Sequence, residues 1–329
     1  MVTLNDVAKR AGVSKTTVSR MLNKDPSLSI TTATKERIWL AVKELGYQHK
    51  RTCGAASGYQ IAIIHKESHY QNQLDNALYF AIRYGMESMC HLEQITPAFI
   101  PFSMLKSLPG NLDGIIINGN FQEAQIKEIL NTAKGIPAVV VGRSNPAPEL
   151  LDWVTFDVRE TVWTALDHLS GKGYKRILYV GGRDLEGTPM WQKKIYHYHT
   201  YIREHTHLLH IGEMEGDYGV QSGYRMMCGW LDARKEIPDA IFVSHDPIAA
   251  GVIQALSEYG IAVPENTAVI GVNGDSICRL TAPPLTSVSI HAEEMGREAV
   301  VTLTERICNR HAVTKKIMFH TTLALGQST

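Results

Sequence analysis

At 329 residues, 44% hydrophobic and 20% charged, with 33 basic and 33 acidic side chains, the chain has the balance of an ordinary globular protein of two or three domains. That composition excludes a disordered or fibrous chain, and no apolar run approaches the roughly 20 residues that a membrane span needs. The N-terminus carries no basic-then-apolar leader, and Cys53, Cys90, Cys228, Cys278 and Cys308 show no C-x-x-C spacing, so the expectation is a cytoplasmic chain with reduced thiols and no structural zinc.

Charge is unevenly placed. Residues 1–51 hold ten Lys/Arg and four Asp/Glu, a net of +6, and the rest of the chain carries −6. A cationic head on a mildly acidic body points to a polyanion as the partner of the head, although clustering of six charges also arises by chance.

Three helices are predicted before residue 46. Thr3 caps the first, Asp6 sits in its first turn, and Leu4, Val7, Ala8 and Ala11 form one apolar stripe. Gly12 stops that helix as a left-handed residue would. Ser14 caps a second helix running to about Leu22, with Val18 and Leu22 facing inward and Asn23 ending it. After a loop containing Pro26, Thr31 caps a third helix, in which Ile38, Ala41, Val42 and Leu45 fall at helical spacing before Gly46.

Helix, glycine turn and a second helix opening Ser-Lys-Thr-Thr is the layout of a helix-turn-helix, whose second helix enters the major groove by its first turn. Lys15, Thr16 and Arg20 are the candidate base readers, since 16 and 20 share a face and 15 lies beside it. An arginine forked onto guanine is worth ~1–3 kcal/mol of discrimination. Thr17, Ser19 and Lys35 suit phosphates, and Thr3, Ser14 and Asn23 at the helix ends complete the candidate DNA-binding set. A small helical bundle with a solvated basic face fits the same pattern.

The string Thr3-Leu4-Asn5-Asp6-Val7-Ala8-Lys9-Arg10-Ala11-Gly12-Val13-Ser14-Lys15-Thr16-Thr17-Val18-Ser19-Arg20-Met21-Leu22-Asn23 resembles the N-terminal signature of the LacI/GalR family of bacterial repressors, and the likeness continues along the chain. The resemblance implies base contacts from Lys15, Thr16 and Arg20. It also implies a hinge helix after the head whose leucine wedges into the minor groove. The polar linker at 48–58 departs from that pattern: it has no leucine, holds Ala56 at its centre, and contains Gly54, which costs about 1 kcal/mol in a helix. The hinge set is therefore Lys50, Arg51 and Ala56, with the two cations on phosphate or the hinge weak, and without minor-groove insertion.

Beyond Gly58, apolar runs alternate with helical stretches. Strands are predicted at 60–65, 98–101, 114–118, 138–142, 153–156, 176–180, 208–211, 240–244 and 268–272. Helices are predicted at 75–91, 122–132, 160–172, 191–205, 220–234, 247–259 and 292–310. Such alternation gives parallel sheets covered on both faces, in too many units for one small sheet. The fold class is α+β multidomain: a three-helix helix-turn-helix domain (1–47), the linker (48–58), and a pair of α/β subdomains with parallel sheets (59–329). The resemblance implies a periplasmic-binding-protein-like core, with subdomains of about 59–157 plus 289–319 and about 158–288 plus 320–329, and crossovers near 156–159 and 286–291.

Ligands of open α/β sheets lie at the carboxyl ends of the strands. The ends here offer Lys66, Glu67 and Ser68; Gly119 and Asn120; Gly142 and Arg143; Gly181 and Gly182; His245 and Asp246; and Asn273 and Asp275. Polar groups for sugar hydroxyls, and a ring from Tyr79, Phe80, Trp191 or Trp230, would make a carbohydrate site. Asp246, just before Pro247, also reads as a helix cap. The resemblance puts an effector-binding residue at Asn273 and Gln192 where many members hold a ligand-gripping Arg. The candidate effector set is Glu67, Tyr79, Gln192, His245, Asp246 and Asn273. Stretches 79–87, 283–285 and 290–296 resemble those of a galactoside-linked member, which implies a sugar effector, a galactoside among them.

Other signals carry less. Histidines 197, 199, 205, 207 and 210 crowd one region, but 197 and 199 point to different helix faces, so no metal site is expected. Gly181-Gly182…Gly187 lacks a Walker Lys-Ser/Thr, no G-x-S-x-G elbow occurs, and no catalytic constellation assembles, so neither an enzyme nor a cofactor is expected. The preferred reading is a homodimeric repressor of double-stranded operator DNA, with no leucine heptad after residue 310 to make it a tetramer. The alternatives are a regulator co-repressed by a purine or other metabolite, a cytosolic solute-binding protein, and an enzyme on a doubly wound fold.

Overall fold

The computed structural model describes residues 3–22, 28, 30–45, 58–70, 76–143, 147–183, 188–190, 193–309 and 313–329. Asn23, Lys50, Arg51, Ala56 and Gln192, and the linker up to residue 57, lie outside the described residues.

Local capping sets the head. Helix α1 (Leu4–Ala11) opens on a capping box: the Thr3 hydroxyl accepts the Asp6 N–H, and the Asp6 carboxylate accepts the Thr3 N–H at 2.8 Å. Gly12, at φ 67°, ends it in the left-handed region. Helix α2 (Lys15–Leu22) begins where Ser14 Oγ accepts the Thr17 N–H at 3.0 Å, and α3 (Thr32–Leu45) follows. Val7, Ala8, Ala11, Val18, Leu22, Ile38 and Ala41 pack into one small core, and Arg10 and Glu44 join α1 to α3 across 2.6 Å.

The first lobe is built from β1 (Gln60–His65), α4 (Ala77–Leu92), β2 (Thr96–Pro101), β3 (Gly114–Asn118), α5 (Glu123–Ala133), β4 (Ala138–Val141) and β5 (Asp152–Phe156). The second holds α6 (Val158–Gly171), β6 (Arg176–Gly182), α7 (Lys194–Glu204), β7 (Leu209–Gly216), α8 (Val220–Asp232), β8 (Ala240–Val243), α9 (Asp246–Glu258), β9 (Ala268–Asn273) and β10 (Thr286–Ser289). The chain then returns to the first lobe with α10 (Ala292–Asn309) and β11 (Lys316–Phe319), and crosses back for β12 (Thr322–Ala324).

The sheets run β2-β1-β3-β4-β5-β11 and β7-β6-β8-β9-β10-β12. All their pairings are parallel except β12 against β10, which is antiparallel. Strands such as β3 (GIIIN) and β4 (AVVV) are apolar and buried throughout, because helices cover both faces. Each sheet has an apolar core on either side: Ile63, Met86 and Leu303 share one, Ile64 and Ile126 its opposite. In the second lobe Tyr179 and Phe242 face one core, Val243 and Leu256 the other.

Two helix pairs cross backbone to backbone. A Cβ on Gly85 would meet the Glu293 carbonyl, and one on Gly296 the Ile82 carbonyl, so α4 and α10 touch where no side chain fits. Gly223 against the Ile248 carbonyl and Gly251 against the Val220 carbonyl do the same for α8 and α9.

Strands β10, β11 and β12 were not among the predicted strands, and β7 extends well past its expected end. Cys90, Cys228 and Cys278 are free thiols, whereas Cys308 is disulfide-bonded, a departure from the expected set of reduced thiols. Among the described residues, no helix is long and apolar enough to cross a membrane.

Candidate effector cleft and nucleic-acid interface

Both sheets direct their carboxyl ends at one cavity of about 440 Å³ between the lobes. In each, the strand order reverses beside the first strand, β1 in one and β6 in the other, which is where open α/β sheets hold ligands. The first lobe supplies Lys66 after β1, Asn120 after β3, Arg143 after β4, and Asn76 and Tyr79 at the start of α4. The second supplies Lys194, Tyr218, His245, Asn273 and Asp275. The size falls in the range of about 300–1,000 Å³ usual for small-molecule pockets.

The loops are braced against each other. Asn120 Oδ1 accepts the Arg143 N–H at 3.0 Å, tying the ends of β3 and β4 together. Lys194, the first residue of α7, is buried, and its ammonium donates to the Ser244 carbonyl at 2.5 Å and to Asn273 Oδ1 at 3.5 Å. Asn273 in turn donates through Nδ2 to Asp275 Oδ2 at 3.3 Å. Its backbone sits at φ 122°, a conformation costing of order 1–3 kcal/mol for a residue with a side chain. Such strain is held where the surrounding bonds over-determine it, as the β9–β10 register and these side-chain contacts do here.

Burial shapes the ionisation. Burial, then the neighbouring charge of Asp246, pushes the Asp275 carboxyl up to about 8, against the opposing pull of Asn273 and Lys194. Burial, with the fields of Lys194 and Arg143, holds the His245 imidazole well below its ordinary value. That ring shares a 2.7 Å hydrogen bond with Ser244 Oγ and meets Tyr218 edge-on at 4.6 Å. Burial lowers the Lys66 ammonium and raises the Tyr79 phenol.

Of the residues expected at the effector, Tyr79, His245 and Asn273 line the cavity, while Glu67 and Asp246 do not. This corrects the expectation for both carboxylates. Glu67 is exposed, and its Oε1 accepts the Ser103 N–H at 2.9 Å in the turn after β2. Asp246 is buried at the start of α9 and accepts the Asp275 N–H and the Ser287 hydroxyl, so it braces the site from behind. Its carboxylate does not cap α9 either; the residue at the cap is His245, without a side-chain cap bond. Trp230 is a core residue, and Phe80 lines an adjoining hollow between the lobes, which shares Asn273 and Asp275 with the cleft.

Lys66, Asn120 and Arg143 were visible as strand ends but were not singled out for the effector set. Lys194 was passed over in favour of its neighbour Gln192, and Tyr218 carries no signal beyond its turn after β7. The side chains that line the cavity suit a polar small molecule, with Tyr79, Phe156 and Tyr218 as apolar or aromatic walls.

In the head, Lys15 and Thr16 are exposed on the first turn of α2, and Ser19 and Arg20 are half-buried one turn on. Lys35 is exposed on the first turn of α3. Ser14 shares a 2.8 Å hydrogen bond with Thr17 Oγ1 besides capping α2, and the Thr3 hydroxyl lies in the capping box of α1. These polar side chains therefore also hold the helix ends that present the edge.

Comparison with known proteins adds two domain matches: bacterial regulatory proteins of the lacI family over residues 3–49, and a periplasmic binding protein-like domain over residues 166–329. The transcriptional repressor MelR of Bacillus subtilis (strain 168) is 32% identical over 345 residues, covering 100% of this chain and 97% of MelR. The transcriptional regulator GalR of Streptococcus thermophilus is 31% identical, covering 100% of both chains. A solved complex of the transcriptional regulator CelR with cellobiose matches over 100% of both chains, with 26% identity and a TM-score of 0.72.

Proposed function

The chain belongs to the LacI family of bacterial regulatory proteins, a family of transcriptional regulators and not of enzymes, and from that premise we propose that it is a sequence-specific repressor whose hold on operator DNA is set by a sugar in the cleft between its lobes. The observation that carries the reading is the cavity lined from both lobes, by Asn120 and Arg143 on one side and by Lys194 and Asn273 on the other. A ligand bonded to both sides favours one arrangement of the lobes over another, and can shift that equilibrium only by its differential affinity for the two.

The head supplies the other half. Lys15, Thr16 and Arg20 read bases, and Lys35 with Thr17 and Ser19 holds phosphate. One head offers few contacts, so the working unit is a homodimer reading a two-fold operator in the cytoplasm. Its contact face is the adjoining hollow of about 660 Å³, lined by Phe80, Tyr84 and Leu280. The CelR structure, with its cellobiose, and the names of GalR and MelR support a sugar, a galactoside among the candidates.

The test begins with selection of random duplexes on the full-length chain, followed by anisotropy titration of the enriched sequence with and without sugars and purines. Enrichment of a two-fold sequence, and release on adding a sugar, is the expected result. Tighter DNA binding with a purine would turn the reading to a co-repressed regulator. Absence of any enriched sequence would remove the DNA reading altogether.

A further inference from the structure

Among the described residues no group of histidine, cysteine and acid side chains gathers as a metal site, yet two of the crowded histidines meet one carboxylate. Glu213 Oε2 lies 2.9 Å from His199 Nε2 and 4.0 Å from His210 Nε2, and the two rings are 5.1 Å apart. His199 comes from α7, the other two from β7 at the edge of its sheet. Residues three apart on a regular strand point to opposite faces. β7 brings His210 and Glu213 to one face with an extra residue, Ile211, since Ile177 pairs with His210 and Leu178 with Gly212. Gly212 lets this bulge lie close to α8, as a Cβ there would strike the Trp230 ring.

The proton positions follow from one hydroxyl. Tyr198 on α7 donates its O–H to the Ile177 carbonyl at 3.0 Å, so at 3.0 Å it accepts from Nδ1–H of His210. The neutral His210 ring then carries its lone pair on Nε2, toward Glu213, and His199 is the ring that donates to the carboxylate, through Nε2–H. A proton added at His210 Nε2 places positive charge beside His199. Burial, then the field of His199, outweighs the pull of Glu213 and holds the His210 ring below its ordinary value. Tyr198 and His199 face that ring from α7, and Glu213 from β7. On β6, Tyr179 packs against Tyr198, and Arg176 is paired with Glu236 and Asp239. An arrangement in which α7 stands away from β7 gives the His210 ring to water and parts it from His199, so it takes the proton more readily. Below about pH 6.5, acid therefore favours that arrangement.

We propose that His199, His210 and Glu213 form a proton-released clasp, which holds α7 to β7 at neutral pH and loosens in mild acid. Both elements reach the cleft: α7 begins at Lys194, and the turn after β7 carries Tyr218. Acid thus loosens one wall of the cavity, and the clasp works in the same way whatever the cavity holds.

The test follows amide hydrogen exchange of the full-length chain by mass spectrometry from about pH 7.5 to about 5.5, corrected for the intrinsic pH dependence of exchange. Protection of α7 and β7 should fall about threefold to tenfold more than that of α6 in the same lobe and α5 in the other. His210→Asn keeps a donor for Tyr198, and His199→Gln keeps one for Glu213. Each should retain its protection at neutral pH and lose most of the extra fall in acid. Glu213→Gln removes the charge that favours the proton on His210 in the closed form, so its release should begin at higher pH. Parallel loss of protection in α7, β7 and α6 of the parent would overturn the proposal without any variant. An acid response unmoved in both histidine variants, or an onset unmoved in Glu213→Gln, would overturn it as well.

Discussion

The backbone N–H of Asp275 donates to Oδ2 of Asp246 at 2.8 Å, and the Ser287 hydroxyl donates to Oδ1 of the same carboxylate at 2.7 Å. One buried side chain thus joins the start of α9, the loop after β9 and the strand β10. Gly271 belongs to the same arrangement, since a Cβ there would collide with Oδ1 of Asp246. Asp246→Ala strands two buried donors, each worth about 1–3 kcal/mol when left unsatisfied. Asp246→Asn keeps one acceptor and should cost about half as much. Urea denaturation measures both, and an alanine variant within about 0.5 kcal/mol of the parent would show that the brace carries no stability.

Asp275 gives the stability curve a slope with a definite sign. Its folded pKa of about 8 lies above the ordinary unfolded value of about 3.9, so the folded chain binds more protons than the unfolded chain between them. Stability therefore falls as pH rises across that window. His245 acts oppositely, because its folded pKa is depressed: below about pH 6.5 the unfolded chain takes up the proton, and stability falls as pH drops. Of these two groups, only Asp275 acts between about pH 6.5 and 8. Asp275→Asn should flatten the profile there and add stability toward pH 8. Urea midpoints at closely spaced pH values decide it, and equal slopes in parent and variant would count against the shift.

What could be read from sequence was what is local. Thr3 with Asp6, and Ser14 before Lys15, mark helix ends because a cap bonds within three residues. The apolar runs of β3 and β4 mark buried parallel strands because both faces are covered. β10 hides because it is polar and buried at once: the Ser287 hydroxyl reaches Asp246, and Thr286 Oγ1 pairs with Thr329 at 3.0 Å, contacts made only by the folded chain. β11 hides because its residues alternate between exposed and half-buried at a sheet edge. In the cleft, strand ends locate residues but not directions, so Glu67 and Asp246 read as ligand groups although their bonds turn them away. Lys194 hides for another reason, since which residue begins α7 depends on the loop before it.

The head should separate base reading from phosphate holding. Arg20→Ala and Thr16→Ala remove groups from the face that α2 presents, and should lower affinity for the selected duplex while relaxing its sequence preference. Losing one bidentate base contact costs about 1–3 kcal/mol. Lys35→Ala should weaken all duplexes alike and reduce the slope of log affinity against log salt by about 1. Anisotropy across a salt series reads both quantities. Equal loss on selected and scrambled duplexes in Arg20→Ala would assign that side chain to the backbone instead.

The exposed side chains of the second hollow predict the oligomeric state. Tyr84 is 59% exposed and Leu280 76%, and both line the hollow where α4, the start of α10 and the loop after β9 meet. Neither contributes much to the fold of a single chain, since most of each side chain is in water, but together they make an apolar surface that a second copy would bury. The face also takes residues from both lobes, so a dimer formed there feels any shift of one lobe against the other, and the spacing of the two heads shifts with it. Tyr84→Glu and Leu280→Glu place charge in that contact at little cost to the monomer. Sedimentation should then show the parent as a dimer and the variants as single chains, with an unchanged melting transition in the dilute limit. Affinity for the two-fold duplex should fall about a hundredfold or more, toward that of one head on one half-site. Variants that sediment as the parent does would place the dimer contact on another face.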